Sequence, residues 1–200
     1  MYKYLSEKKY RVSHFINAIN INEKEKYISD NQQDSETIKI GLYNAEDKWN
    51  KNIYNQLCAV SLIENHELDF SPINYKISLM ARKHNINIGG AAEEITKSDL
   101  YKKMASNDIN LFISYPDFPS ITPIESLELG SVCLVGKDNT FFKGTELEKY
   151  IVVNNENDIN EILTKIKEAL ANKEIIIELY HKWKKEYDIK SKDSINKIIQ

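Results

Sequence analysis

The chain has little cysteine, no long apolar run and no excess of positive charge, and each shortage removes a class of protein. Its only cysteines are Cys58 and Cys133, far apart in 200 residues. Two isolated thiols support neither a disulfide framework nor a zinc site. Each sits in an apolar run, Leu57-Cys58-Ala59-Val60 and Val132-Cys133-Leu134-Val135, and reads as a small buried hydrophobe. That usage fits a reducing, cytoplasmic location. No stretch reaches the roughly 18 apolar residues that a bilayer span needs. The start, MYKYLSEKKYR, lacks the apolar core of a signal peptide. With 27 basic and 30 acidic residues the net charge is -3. A general nucleic-acid binder usually carries a positive surface instead. A local basic pocket for a phosphorylated small molecule stays open.

What is there reads as one folded α/β domain. The chain is 42% hydrophobic and 28% charged, which is ordinary for a folded protein and argues against wholesale disorder. Residues 1–36 are expected to be a linker or N-terminal extension, and residues 37–200 a single domain with its C-terminal helices. Strands are expected at 37–43, 86–88, 110–115, 132–135 and 150–153, with a less certain one at 68–73. Helices are expected at 52–63, 75–83, from Ser98 onward, at 123–129, 160–171 and 173–187, and a last short one at 194–199. Ser98 is expected to cap its helix, with Asp99 at the positive end. Pro123 suits a first turn and Gly130 a helix end.

Strands alternating with helices imply βαβ units and a mostly parallel, Rossmann-like sheet with helices on both faces. In such sheets ligands bind beyond the carboxyl ends of the strands. The loops of interest are therefore 44–51, 89–94, 115–122 and 136–144. The richest segment is Ser114-Tyr115-Pro116-Asp117-Phe118-Pro119-Ser120-Ile121-Thr122-Pro123-Ile124-Glu125-Ser126-Leu127-Glu128-Leu129-Gly130. A strand feeds a loop with Asp117, and the loop feeds a helix with Glu125. Glu125 has the chemistry to accept hydrogen bonds from a vicinal diol such as a nucleotide ribose. The backbone N–H groups of Ile121 and Thr122, beside Ser120, would open toward a diphosphate. The plainer reading makes Asp117 a turn residue and Glu125 and Glu128 solvated helix charges.

This segment resembles the donor-binding signature of the large retaining glycosyltransferase family with the GT-B architecture (glycosyltransferase group 1, family 4-like). Members carry an acid, seven residues, then a second acid, in a helix that ends in Gly. Asp117 and Glu125 match the two acids, and Pro123-Ile124-Glu125, Gly130 and the strand at 132–135 fall in register. Upstream, Ile40-Gly41-Leu42 resembles the first strand of the family's C-terminal domain, and Trp49-Asn50-Lys51-Asn52 the start of its first helix. Gly90, Leu100-Tyr101 and the stretch 108–114 resemble later pieces in the expected order. The similarity spans roughly residues 37–170.

The resemblance implies a nucleotide diphosphate sugar as substrate, no cofactor and no metal. It implies that Asp117 lies near the donor sugar and that Glu125 holds the ribose. Lys51, with Lys48 as a neighbour, would steady the departing nucleotide diphosphate as a point charge. Gly90 would belong to the donor site. The family's first acid is usually Glu, one methylene longer than Asp117. The glycines that follow it are Phe118 and Ser120 here, and the family's first-loop Arg is Ala45. A GT-B enzyme has two Rossmann-like domains with the active site between them, and one fits in this length. An acceptor-binding N-terminal domain, in the same full-length chain or separate, is the expected partner, and any peripheral membrane association is expected to run through it. Trp183 and Tyr187 would lie on the helix that leans toward that domain. The isolated chain is expected to turn over little or nothing.

The alternatives are a non-catalytic module that binds nucleotide sugars or a partner protein, and a small dehydrogenase-like protein. The last is disfavoured because Gly41-Leu42-Tyr43-Asn44 lacks the early glycine turn of a dinucleotide fingerprint. His14, His66, His84 and His181 belong to no recognisable catalytic array.

Overall fold

A computed structural model describes residues 16, 19–28, 36–43, 48–73, 75–91, 95–115 and 120–199. The strands are β1 (Ile38–Leu42), β2 (His66–Phe70), β3 (Ile88–Ala91), β4 (Ile109–Phe112), β5 (Val132–Gly136) and β6 (Val152–Val153). They form one parallel sheet in the order β3-β2-β1-β4-β5-β6. Ile40 on β1 pairs with Leu68 on one side and Ile109 on the other. Ile109 in turn pairs with Val132. β4 and β5 are buried along their whole length, as befits central parallel strands covered on both faces.

The helices are α1 (Ile53–Val60), α2 (Tyr75–Lys83), α3 (Lys97–Ser106), α4 (Thr122–Glu128), α5 (Glu148–Ile151), α6 (Ile159–Ala171) and α7 (Lys173–Ile199). α1 packs on α2 and α6, while α3 packs on α4. Right-handed crossovers put these two groups on opposite faces of the sheet. α6 shows why such a helix forms and stays. Asp158 accepts hydrogen bonds from the N–H groups of Asn160 and Glu161, at 2.9 and 3.2 Å, a cap worth about 1 kcal/mol. Ile162, Ile166 and Ala169 then bury one face, and each isoleucine contributes about 1.5–3 kcal/mol.

The Rossmann-like sheet is as expected from the sequence, and several element boundaries need correction. Ser98 does not cap α3. Thr96 does, accepting from the Asp99 N–H at 3.1 Å. The strand expected at 86–88 runs instead from Ile88 to Ala91 and contains Gly89 and Gly90, whose Cβ positions the Glu67 and Asp69 side chains of β2 would fill. Tyr150 and Ile151 close the short helix α5 through bonds to the Leu147 carbonyl, leaving Val152–Val153 as strand. The two helices expected after residue 173 are one, with no Gly or Pro to break it and Lys184 paired to Asp188 one turn on, at 2.6 Å. The helix expected at 52–63 ends at Val60, and Leu62 lies past its end and is exposed.

The described residues fall into two compact units. The larger is Ile21–Tyr180. In the smaller, the chain around Ile16 meets the stretch from His181 onward. There the Ile16 N–H donates to Ser194 Oγ at 2.9 Å, and Ser191 Oγ donates to the Ile16 carbonyl at 2.8 Å. Trp183 and Tyr187 meet within it at 4.9 Å between centroids, their rings tilted by 31°.

Candidate functional site

The strand order reverses between β1 and β4. The chain leaves β1 toward α1 on one face and leaves β4 toward α4 on the other, and in such sheets the ligand crevice lies at this switch point. Four contacts fix the crevice walls. The Tyr115 N–H donates to the Asn50 carbonyl at 2.9 Å. Trp49 stacks on Tyr115 at 5.8 Å, with 26° between the rings. Gln56, fully buried at the start of α1, donates through Nε2 to the Lys51 carbonyl at 2.9 Å. Its Oε1 accepts from the Ile113 N–H at 3.2 Å. One side chain thereby staples the β1 loop to the β4 loop.

Lys51 ends a single 3-10 turn, Trp49–Lys51, closed by Asn52 in the left-handed region at φ 51°. Lys48 precedes that turn and is exposed, whereas Lys51 is half-buried. Lys48, Trp49, Tyr54, Lys76, Met80 and Tyr115 line a pocket of about 480 Å³ beside the crevice.

On the β4 side, Ser120 precedes α4. Its Oγ accepts the Thr122 N–H at 3.3 Å and donates to Thr122 Oγ1 at 3.0 Å. Ile121 is partly exposed at the cap. Pro123 lies in the first turn, and Gly130, at φ 82°, receives the chain just past the helix. Asp117 lies outside the described residues, as do Ala45, Phe118 and His14.

Glu125 is 6% exposed and is no solvated charge. The Tyr101 hydroxyl on α3 donates to its Oε1 at 2.6 Å. Lys97 Nζ stands 3.5 Å from the same oxygen and 5.4 Å from the centre of the Tyr101 ring. Burial, then the bond to Glu125, raises the Tyr101 pKa. The Tyr101 hydroxyl, then the Glu125 charge, raises that of Lys97. Glu128 is likewise no surface charge. Its Oε1 meets Lys24 Nζ at 2.9 Å and its Oε2 accepts from the Tyr180 hydroxyl at 2.6 Å.

Beneath Glu125 runs a buried polar network. Asn110 on β4 donates through Nδ2 to Ser126 Oγ at 2.8 Å, Ser131 Oγ at 2.9 Å and the Met104 carbonyl at 3.2 Å. Its Oδ1 accepts from Asn107 Nδ2 at 2.9 Å. These bonds pin α4 to the sheet one residue from Glu125. Asn107 also donates to the Tyr43 hydroxyl at 2.7 Å. Burial and the Asp69 charge push the Tyr43 phenol far up, against the smaller opposing effect of Asn107. Gly90 lies on β3 opposite Asp69, and the space beside it holds the Asp69–Lys103 ion pair, 3.0 Å long.

His66 starts β2, at the end of the sheet away from the crevice, with Nδ1 2.6 Å from the Ile63 carbonyl. His84 meets Tyr54 edge-on, and His181 belongs to the smaller unit. No helix among the described residues is long and apolar enough to cross a membrane.

The sequence reading named Glu125, Lys51 and Lys48 as candidates; it did not single out Gln56, Asn110 or Lys97, and it gave Tyr101 no role at Glu125. Asn110 carried a signal, being one polar residue inside the buried run Ile109-Asn110-Leu111-Phe112. Tyr101 carried none, because 24 positions separate it from Glu125.

No protein-family model matches the sequence, and no curated protein matches it. Solved structures do. The chain is similar to a trehalose-phosphate synthase from Burkholderia xenovorans, at 11% identity and a TM-score of 0.63, over 82% of this chain and 43% of that one. Sucrose-phosphate synthase from Thermosynechococcus elongatus matches at 14% identity and a TM-score of 0.61, over 76% and 41%. The catalytic domain of cholesterol-alpha-glucosyltransferase from Helicobacter pylori matches at 17% and 0.60, over 80% of this chain and 98% of that chain. The fold is thus that of one Rossmann-like half of a GT-B glycosyltransferase. The chain spans less than half the length of the two synthases.

Proposed function

We propose that this chain is the donor-binding half of a retaining glycosyltransferase. It takes a nucleotide diphosphate sugar, whose sugar passes to an acceptor hydroxyl with retention at the anomeric carbon. Glu125 accepts the ribose. Lys51, with Lys48, neutralises the departing diphosphate, and Asp117 lies by the donor sugar. Gly90, Ser120, Ile121 and Thr122 complete the donor surface. A second Rossmann-like domain supplies the acceptor site, so the isolated chain binds donor but turns over little.

The observation that carries this reading is the state of Glu125. A carboxylate is held 6% exposed on a short helix that leaves the crevice where the strand order reverses. One of its oxygens accepts no hydrogen bond from the described residues and is open to a ligand. The shared fold of the glycosyltransferases supports the reading, as does the acid pair spaced as in their family. Calorimetry with UDP and GDP on the isolated chain tests it. Binding that Glu125→Ala abolishes is the expected result, and unchanged affinity in that variant would sink the role of Glu125.

A further inference from the structure

The two oxygens of Glu125 are not equivalent. Oε1 takes the Tyr101 hydroxyl at 2.6 Å and faces Lys97 Nζ at 3.5 Å. Oε2 accepts no hydrogen bond from the described residues. It is not sealed in either, since the one buried side-chain polar atom without a partner among those residues is His66 Nε2. A carboxylate has two oxygens and about four lone-pair sites. Oε1 already meets the phenol and the Lys97 ammonium, one for each of its lone pairs, so Oε2 is the freer acceptor for a hydroxyl.

We propose that Tyr101 is a positioning residue that reserves Oε1 of Glu125 and leaves Oε2 to read a single ribose hydroxyl. The inference rests on the reading of Glu125 as the ribose acceptor.

Tyr101 is well placed to keep its bond when a ligand arrives. It is 6% exposed, and a buried phenol needs a hydrogen-bond partner. Its ring is braced edge-on by Tyr27, with 5.3 Å between centroids and 78° between planes. Lys97 lies over the same ring. A ribose hydroxyl that displaced the phenol would strand the phenol's O–H, and the new bond would merely offset that loss. The open oxygen carries no such penalty. The consequence is a specificity: the site discriminates sharply at one ribose hydroxyl and tolerates change at the other.

The test is calorimetric titration of the chain with UDP, GDP and the 2′-deoxy and 3′-deoxy form of each. In the wild type, one deoxy form of the nucleotide that binds should lose at least about ten-fold in affinity, as fits a bond to a charged group. The other should stay within about two-fold, within the range of one weak or absent bond. Tyr101→Phe frees Oε1, so the tolerated deoxy form should then fall about three-fold or more below its parent. Equal penalties for both forms in the wild type would overturn the proposal. So would a Tyr101→Phe pattern identical to that of the wild type. If Tyr101→Phe does not fold, the wild-type series decides alone, because it needs no variant. Glu125→Ala separates this claim from the one beneath it. If that variant loses binding while the wild-type penalties are equal, Glu125 holds the ribose and the role of Tyr101 falls. If the variant binds normally, or if neither nucleotide binds the wild type, the ribose reading and this proposal fall together.

Discussion

The Tyr101 hydroxyl donates to Oε1 of Glu125 across 2.6 Å, tying α3 to α4 through a bond between two residues that are each 6% exposed. A hydrogen bond to a buried carboxylate is worth more than one between neutral groups. Tyr101→Phe keeps the ring and its contact with Tyr27 and deletes only the donor. It should lower stability by about 1.5–3 kcal/mol, read from urea unfolding. A loss near zero would mean that solvent replaces the phenol at no cost.

Gln56 should matter for the crevice as much as any charged residue. Gln56→Ala removes the bond to the Lys51 carbonyl and leaves the N–H of the fully buried Ile113 without its acceptor. With the cavity added, the cost should be about 2–4 kcal/mol in the same unfolding experiment. Wild-type stability in this variant would contradict the stapling role.

How much of this could be read beforehand varies with the range of the interaction. The parallel sheet was legible because unbroken apolar runs such as Val132-Cys133-Leu134-Val135 are a local signal. The end of the sheet where a ligand is expected followed from the strand–helix alternation. Glu125 could be named as a candidate because its spacing to Asp117 is also local. Its burial was not, since the phenol that accompanies it comes from another helix. Gln56 reads as one more polar residue on an amphipathic helix, and only the strand reversal brings Lys51 and Ile113 to it. The continuity of α7 was missed because its middle is polar. That polarity reflects pairing such as Lys184 with Asp188, and no break.

Both thiols should be silent in the folded chain. Cys133 is 1% exposed and Cys58 9%, and burial pushes the Cys133 thiol far above its ordinary pKa. A thiolate is the reactive form. Alkylation at pH 8 should leave Cys133 unmodified in native buffer and modify it fully in denaturant, as read by mass spectrometry. Rapid native labelling of Cys133 would contradict the packing of β5.

The cap of α3 should respond to acid. Hydrogen bonds from Thr96 and Lys102 hold the Asp99 carboxyl below its ordinary value of 3.8. A depressed carboxyl pKa stabilises the fold above the unfolded value and loses that contribution as pH falls through the folded one. Asp99→Asn should therefore melt below the wild type at pH 7, and the gap should close below pH 3.8. A gap that widens on acidification would contradict the assignment.

Nucleotide binding by the isolated chain is the most direct measure of the central claim. Titrated with UDP and GDP, the wild type should bind at least one, and Glu125→Ala, checked as folded, should lose at least about ten-fold in affinity. Equal affinity in the two proteins, or no binding by the wild type, would contradict the reading of this crevice as a nucleotide-sugar site.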